Sequence, residues 1–109
     1  MKRGDVILAV FSGDYGKPRP AVIVQGDAIN DLGFSSVVVC PMTSAVSGAP
    51  IVRVAVEPDS ANGLTASSEI MAEKVVSVRR DRLRRSIGRL NDQTMAKVDD
   101  ALLMVLGFV

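Results

Sequence analysis

Lys17-Pro18-Arg19-Pro20 leads into the apolar run Ala21-Val22-Ile23-Val24, and Val37-Val38-Val39-Cys40 leads out into Pro41-Met42-Thr43-Ser44. These two stretches decide the fold, because each is a short Val-rich run with a polar, proline-marked end. Proline on both sides of Arg19 keeps the backbone extended and stops a helix from forming there. If the two runs pair antiparallel, the start of the first lies beside the end of the second. Arg19 and Thr43 then share one edge of a sheet.

Outward from this pair the chain reads as short strands. Asp5 to Phe11 is a first strand, closed by the turn-rich Ser12-Gly13-Asp14-Tyr15-Gly16. Pro20 to Gln25 is a second, with proline only at its first position, where a missing N–H is tolerated. Gly26-Asp27 and Asn30 to Gly33 form a polar connection. Ser36 to Cys40 is a third strand ended by Pro41, and Thr43 to Pro50 is a small-residue loop. Ile51 to Val56 alternates, with Arg53 on the exposed side. Ser67 to Val78 carries strand-like residues on either side of Ala72-Glu73-Lys74. Arg79 to Arg85 fits one or two helical turns, and Ser86 to Leu90 fits a last strand.

The C-terminal segment is helical. Asn91 is an N-cap and Asp92 places negative charge in the first turn. Met95, Val98, Leu102, Val105 and Leu106 form one apolar stripe, and Gly107 ends it. Short strands punctuated by Gly, Pro and Asn, with one closing helix, predict a mainly β fold: a small antiparallel barrel or curled sheet with the helix packed on it. No repeat or linker divides residues 1–109, which read as one domain.

Composition narrows the functions. The 48% hydrophobic share is high for 109 residues and is explained either by a Val-rich core or by an apolar face covered by a second copy. Cys40 is the one cysteine, so no internal disulfide forms; its Val-rich setting marks an inert buried thiol in a reducing compartment. No run approaches the ~20 apolar residues of a membrane span, and the start lacks a signal-peptide pattern, so a cytoplasmic protein is expected. Histidine is absent and the acids are scattered, which argues against a metal site, and no Gly-rich phosphate loop seats a nucleotide cofactor. Net charge is +1, yet residues 79 to 89 hold six arginines (Arg79, Arg80, Arg82, Arg84, Arg85, Arg89) against Asp81. Such a band fits either an anionic partner or a solvated face.

A fixed guanidinium beside a hydroxyl suits a phosphodiester. Arginine is always cationic, and its planar fork bonds phosphate oxygens in pairs. The plainer alternatives are an Arg19 that pairs with a carboxylate across the sheet mouth and a Thr43-Ser44 that closes a turn.

Taken together, Lys2-Arg3-Gly4-Asp5-Val6, Arg19-Pro20-Ala21-Val22-Ile23-Val24, Val39-Cys40-Pro41-Met42-Thr43-Ser44 and Ile87-Gly88-Arg89-Leu90 resemble the MazF/PemK toxins of bacterial toxin–antitoxin systems in order and spacing. The helix with Met95, Val98, Ala101-Leu102 and Leu106-Gly107 extends the likeness over nearly the whole chain. The resemblance implies a homodimeric SH3-like barrel that cuts single-stranded RNA at short sequences without a metal or other cofactor. It also implies a cognate antitoxin whose acidic, flexible tail occupies the RNA groove, and DNA binding together with that antitoxin. The family's catalytic arginine and threonine map onto Arg19 and Thr43. Around them, Asp14, Tyr15, Lys17 and Ser44 are the expected substrate-binding residues. Where many members carry a Gln-x-Arg-Thr-x-Asp-like stretch, this chain reads Lys74-Val75-Val76-Ser77-Val78-Arg79, so Lys74 is the candidate there for binding the RNA backbone. With no histidine, the carboxylates of Asp14, Asp27 and Glu73, in or beside the relevant loops, stand as candidate proton acceptors. Two rival readings share this fold class: a CcdB-like, non-enzymatic toxin that poisons DNA gyrase through its C-terminus, and a barrel that binds nucleic acid without cutting.

Overall fold

The first four strands set the frame of the molecule, a computed structural model that describes residues 1–48 and 51–109. β1 (Asp5–Val10), β2 (Pro18–Ile23), β3 (Ser36–Thr43) and β4 (Arg53–Val56) are followed by β5 (Ser68–Met71), β6 (Val76–Arg79) and β7 (Leu83–Arg89). A short helix α1 (Asp27–Asn30) lies between β2 and β3, and α2 (Asp92–Val105) closes the chain. The strands form one antiparallel sheet in the order β4-β5-β3-β2-β1-β7, with β6 also paired to β3. Among the described residues its two ends, β4 and β7, do not pair with each other, so the sheet curls without closing.

Prolines explain where strands begin and where they change partners. β2 starts at Pro18, two residues before the expected boundary, and pairs with β1 through Pro18↔Val10, Arg19↔Ala9 and Pro20↔Leu8. Its ladder with β3 begins only at Ala21↔Pro41. The prolines therefore fall on a stretch with a neighbour on one side only, where lost donors cost least. Pro41 does not end β3, contrary to the sequence expectation. The strand runs on to Thr43, because at Pro41 it exchanges one neighbour for another, from β6 (Val39↔Val76) to β5 (Met42↔Ile70, Thr43↔Glu69).

Three other expectations are corrected. The polar connection after β2 contains α1, a single turn whose Asn30 is buried. The Arg-rich segment forms only one 3-10 turn, Arg80–Arg82, before β7 begins at Leu83. In α2 the buried stripe is Met95, Val98 and Ala101, with Leu102 and Val105 half-buried; Leu106, the C-cap, is exposed although its N–H still bonds the Leu102 carbonyl at 2.9 Å. Asn91 caps the helix as expected, accepting the Thr94 N–H at 2.8 Å. The loop after β3 is described as far as Gly48, and Ala49 and Pro50 lie outside the described residues.

Two apolar clusters hold the frame. The larger joins Val6, Val22, Met42, Val54 and Ile70 to the buried face of α2, and the second gathers Ile7, Ala9, Ala21, Ile23, Val37 and Val39 on the other side of the sheet. Arg3 clamps the helix to the strands: its Nε donates to the Val24 carbonyl at 2.9 Å, and its Nη2 pairs with Asp99 on α2. Cys40 is fully buried, and burial pushes its thiol up to about 12.

The open edge is braced by a loop rather than by a strand pair. Between β4 and β5, Asn62 is almost wholly buried, accepts from Leu64 N at 3.0 Å and donates to the Glu57 carbonyl at 2.9 Å. Gly63 (φ +70°) and Gly88 let this loop press directly on β7, where Arg89 N donates to the Ala61 carbonyl at 2.8 Å. A Cβ on Gly63 would lie 2.0 Å from the Ile87 carbonyl oxygen, and one on Gly88 would lie 2.3 Å from that of Ala61. Both positions admit only glycine.

Candidate active site

Past Ala21↔Pro41 the β2–β3 ladder stops, because Pro18 and Pro20 have no N–H with which to extend it. Continued by two residues, the same register sets Arg19 opposite Thr43. Between these strand ends opens a cleft of about 580 Å³. Its walls come from the β1–β2 loop, the end of β3, the loop braced by Asn62 and the inner side of β7. Asp14, Lys17, Arg19, Thr43 and Ser44 all line it, as do Leu64, Thr65, Ser68, Arg85 and Ile87.

Arg19 is half-buried and held by Asp14 in a forked ion pair, with Nη2 donating to Oδ1 at 2.9 Å and Nε lying 2.8 Å from Oδ2. Oδ2 is shielded from solvent and sits off the N–H direction, so it is met by charge rather than by an aligned hydrogen bond. The carboxylate fixes one edge of the planar guanidinium and leaves the remaining N–H groups for another anion. Thr43 is half-buried and its Oγ1 accepts the Ala45 N–H at 3.1 Å. One oxygen lone pair is thus engaged by the turn, while the hydroxyl proton stays available to an acceptor in the cleft. Both plainer uses of these residues, the ion pair and the turn, are therefore present within the site itself.

The loop that carries Thr43 and Ser44 is anchored by a residue that sequence reading passed over. Glu69 is 3% exposed and sits opposite Thr43 in the β3–β5 register. Its carboxylate accepts from Ser47 N at 3.0 Å, Ser47 Oγ at 3.2 Å and Gly48 N at 2.9 Å, and Arg53 Nη1 lies 3.4 Å away. The Ser47 N–H, then those of Gly48 and the Arg53 guanidinium, hold its pKa below the ordinary glutamate value. Arg53 also pairs with Glu73 at 2.6 Å, which lowers the Glu73 carboxyl in turn. The only hint in the sequence was an acid within an otherwise apolar strand.

The remaining candidates divide. Tyr15 is not part of the cleft wall, but it follows Asp14 with φ +53° and a fully exposed ring. A left-handed backbone at a non-glycine residue carries strain of order 1 kcal/mol or more and presents this aromatic beside the opening. Lys74 is exposed on the 3-10 turn beyond the far end of β5 and does not line the cleft. Of the three carboxylates considered as proton acceptors, Asp27 is taken up by the Arg3 N–H at 2.8 Å and by Asn30, and Glu73 by Arg53. Asp14 alone belongs to the cleft wall.

The arginines of the band differ in their surroundings. Arg79 pairs with Asp81, Arg80 donates to the Phe34 carbonyl, and Arg89 pairs with Asp5 at 2.8 Å. Arg85 alone turns into the cleft. Among the described residues no three His, Cys, Asp or Glu side chains converge as a metal-binding group, and no helix is long and apolar enough to cross a membrane.

The fold is a curled antiparallel sheet with one C-terminal helix and a cleft at a proline-framed strand mouth, and comparison with known proteins gives its family. Residues 2–106 match the model of the PemK-like, MazF-like toxins of type II toxin–antitoxin systems, and the chain belongs to this family. It is 42% identical over 108 residues, covering 98% of this chain and 97% of the relative, to the probable endoribonuclease MazF of Mycolicibacterium smegmatis. Among solved structures it is similar to a mycobacterial endoribonuclease in complex with its cognate antitoxin, at 26% identity and a TM-score of 0.83, covering 100% of this chain and 97% of that one. The fold is also shared with the toxin MazF-mt6 of Mycobacterium tuberculosis (22% identity, TM-score 0.80, 94% and 96% coverage). These matches do not favour the gyrase-poisoning rival.

Proposed function

We propose that this chain is the toxin of a toxin–antitoxin pair, an endoribonuclease that cuts single-stranded RNA in the Arg19–Thr43 cleft without a metal. The observation that carries this reading is the meeting of a half-buried guanidinium and a threonine hydroxyl in one open cleft. RNA brings its own nucleophile: the 2′-oxygen bonds to the adjacent phosphorus, the P–O5′ bond breaks, and the products are a 2′,3′-cyclic phosphate and a 5′-hydroxyl. Arg19 binds the phosphoryl oxygens as negative charge gathers on them, and a preorganised donor of this kind contributes ~10²–10³ in rate. The Thr43 hydroxyl donates a hydrogen bond to the same phosphate. Asp14 holds the guanidinium in place and accepts the proton from the 2′-hydroxyl; the 5′-oxygen takes one from water, and the hydroxide left behind recovers the proton from Asp14. Lys17 and Ser44 bind the flanking backbone, and Tyr15 stacks on a base at the opening.

The reading extends to the whole chain. Residues 1–109 act as a single toxin domain in the cytoplasm, neutralised by a cognate antitoxin with an acidic tail, and work as a homodimer. The exposed apolar side chains at the C-terminus, Leu103, Met104, Leu106, Phe108 and Val109, support a covered face. The test is incubation of purified protein with a long natural RNA in EDTA. Discrete fragments are expected. Intact RNA returns the protein to one of the non-cutting classes.

A further inference from the structure

Arg85 is the one cleft cation outside the expected site. On β7 the side chains alternate: Arg85 and Ile87 line the cleft, whereas Arg84 Nη1 donates to the Asp81 carbonyl at 2.9 Å and Ser86 Oγ to the Val6 carbonyl at 3.4 Å. Arg79, Arg80, Arg84 and Arg89 all have acceptors; Arg82 and Arg85 have none among the described residues, and of these two it is Arg85 that lines the cleft. Arg19 already spends one edge of its fork on Asp14. Among the described residues the cleft thus holds three cations, Lys17, Arg19 and Arg85, against the single carboxylate of Asp14. An unpaired guanidinium on a strand, facing an uncompensated positive cleft, is placed to receive an anion. It lies on a different wall from Arg19, so one phosphate does not have to satisfy both.

We propose that Arg85 is a phosphate-binding residue of the groove, gripping an RNA backbone phosphate other than the one that Arg19 holds. The proposal rests on the RNA-cleaving reading above. It makes β7, through a residue otherwise absorbed in a solvated arginine band, the second wall of the substrate track.

The experiment pairs binding with turnover. A mixed-sequence, fluorescently labelled 2′-O-methyl RNA of 12 nucleotides, which lacks the nucleophile, is titrated by anisotropy at several salt concentrations. Wild type is compared with Arg85→Ala, with Arg85→Gln (which keeps most of the stem should alanine disturb β7) and with Arg85→Lys. Loss of one phosphate contact lowers the slope of log affinity against log salt by ~0.7 for a single strand. Binding is expected to weaken roughly three- to tenfold at low salt, with KM raised and kcat within about twofold of wild type. Lysine should restore the slope. Arg84→Ala, on the other face of the strand, should change nothing. Slopes and KM values equal to wild type in both neutral variants overturn the proposal. So does an unchanged RNA slope accompanied by weaker binding of poly-glutamate, which would assign the residue to a protein partner. Wild type that neither binds nor cuts RNA overturns the underlying reading instead.

Discussion

Gly63→Ala should be among the most damaging conservative changes in the chain, and its cost can be built from two separable parts. The first is backbone strain: φ is +70°, and an L-residue held in the left-handed region loses about 1–2 kcal/mol. The second is steric. The new Cβ would stand 2.0 Å from the Ile87 carbonyl oxygen and 2.7 Å from its carbon, well inside contact, and these are backbone atoms that cannot rotate away. Relief requires the loop to lift from β7, which also breaks the 2.8 Å bond from Arg89 N to the Ala61 carbonyl, worth about 1 kcal/mol. The total is about 2–4 kcal/mol, or a fall in Tm of roughly 10–20 °C for a domain of this size. Two companions separate the parts. Gly13→Ala shares the positive φ, +90°, but meets nothing within 4 Å, so it should cost only the strain, about 5 °C. Gly88→Ala has the clash, 2.3 Å from the Ala61 carbonyl oxygen, without the positive φ. Thermal unfolding followed by circular dichroism ranks the three. A Gly63→Ala protein as stable as Gly13→Ala would refute the close loop–strand contact, and with it the shape of one cleft wall.

Other outcomes follow from the site. Arg19→Ala and Thr43→Ala should each lower kcat/KM for RNA cleavage, the arginine by ~10²–10³, while the far-UV spectrum stays that of the folded protein; near wild-type rates in both would sink the assignment. Replacing Arg79 and Arg80 should weaken RNA binding far less than Arg85→Ala, because their guanidinium groups are already engaged by Asp81 and the Phe34 carbonyl; equal effects would restore the band as a single surface. Glu69, Glu73 and Asp27 all have carboxyls held below their ordinary values by hydrogen bonds and arginine. Their contribution to stability is complete above those ordinary values, near pH 4–5, and is lost as pH falls through the lower folded ones. Glu69→Gln should therefore flatten the acid limb of a Tm–pH profile and loosen the Thr43–Gly48 loop; an unchanged acid limb would remove Glu69 as its anchor. With its pKa at about 12, the Cys40 thiol should resist iodoacetamide at pH 8 in the native state and react only in denaturant.

Strand positions and the shared edge of Arg19 and Thr43 were legible because local chemistry set them. Val-rich runs, paired prolines and an Asn91 cap carry their own geometry. Boundaries failed where tertiary pairing overrode local preference. Pro41 reads as a terminator, but a strand that trades one neighbour for another at that point tolerates it. The Arg79–Arg85 stretch reads as helix, yet β1 captures Leu83 onward as a strand. Leu106 fits the apolar stripe by spacing, yet as the C-cap it lies past the packed turns and is exposed. The site shows the same division. Asp14, Lys17, Thr43 and Ser44 adjoin the motifs and fall into the cleft with Arg19. Lys74, inferred from a departure in the family pattern, lies beyond the far end of β5. Glu69, Asn62 and Arg85 came from elements distant in sequence: the acid within β5 was the one local mark of the loop anchor, and nothing local singles out the arginine of the band that turns into the cleft.

The ends of the cleaved RNA report on internal attack in the Arg19–Thr43 cleft. A single natural transcript should be digested in EDTA and its fragment termini mapped, with T4 polynucleotide kinase used to distinguish terminal phosphates. Attack by the 2′-oxygen should leave 5′-hydroxyl ends opposite 2′,3′-cyclic phosphates, both absent when Arg19 is alanine. Fragments bearing 5′-phosphates, or cutting that survives the loss of Arg19, would contradict it.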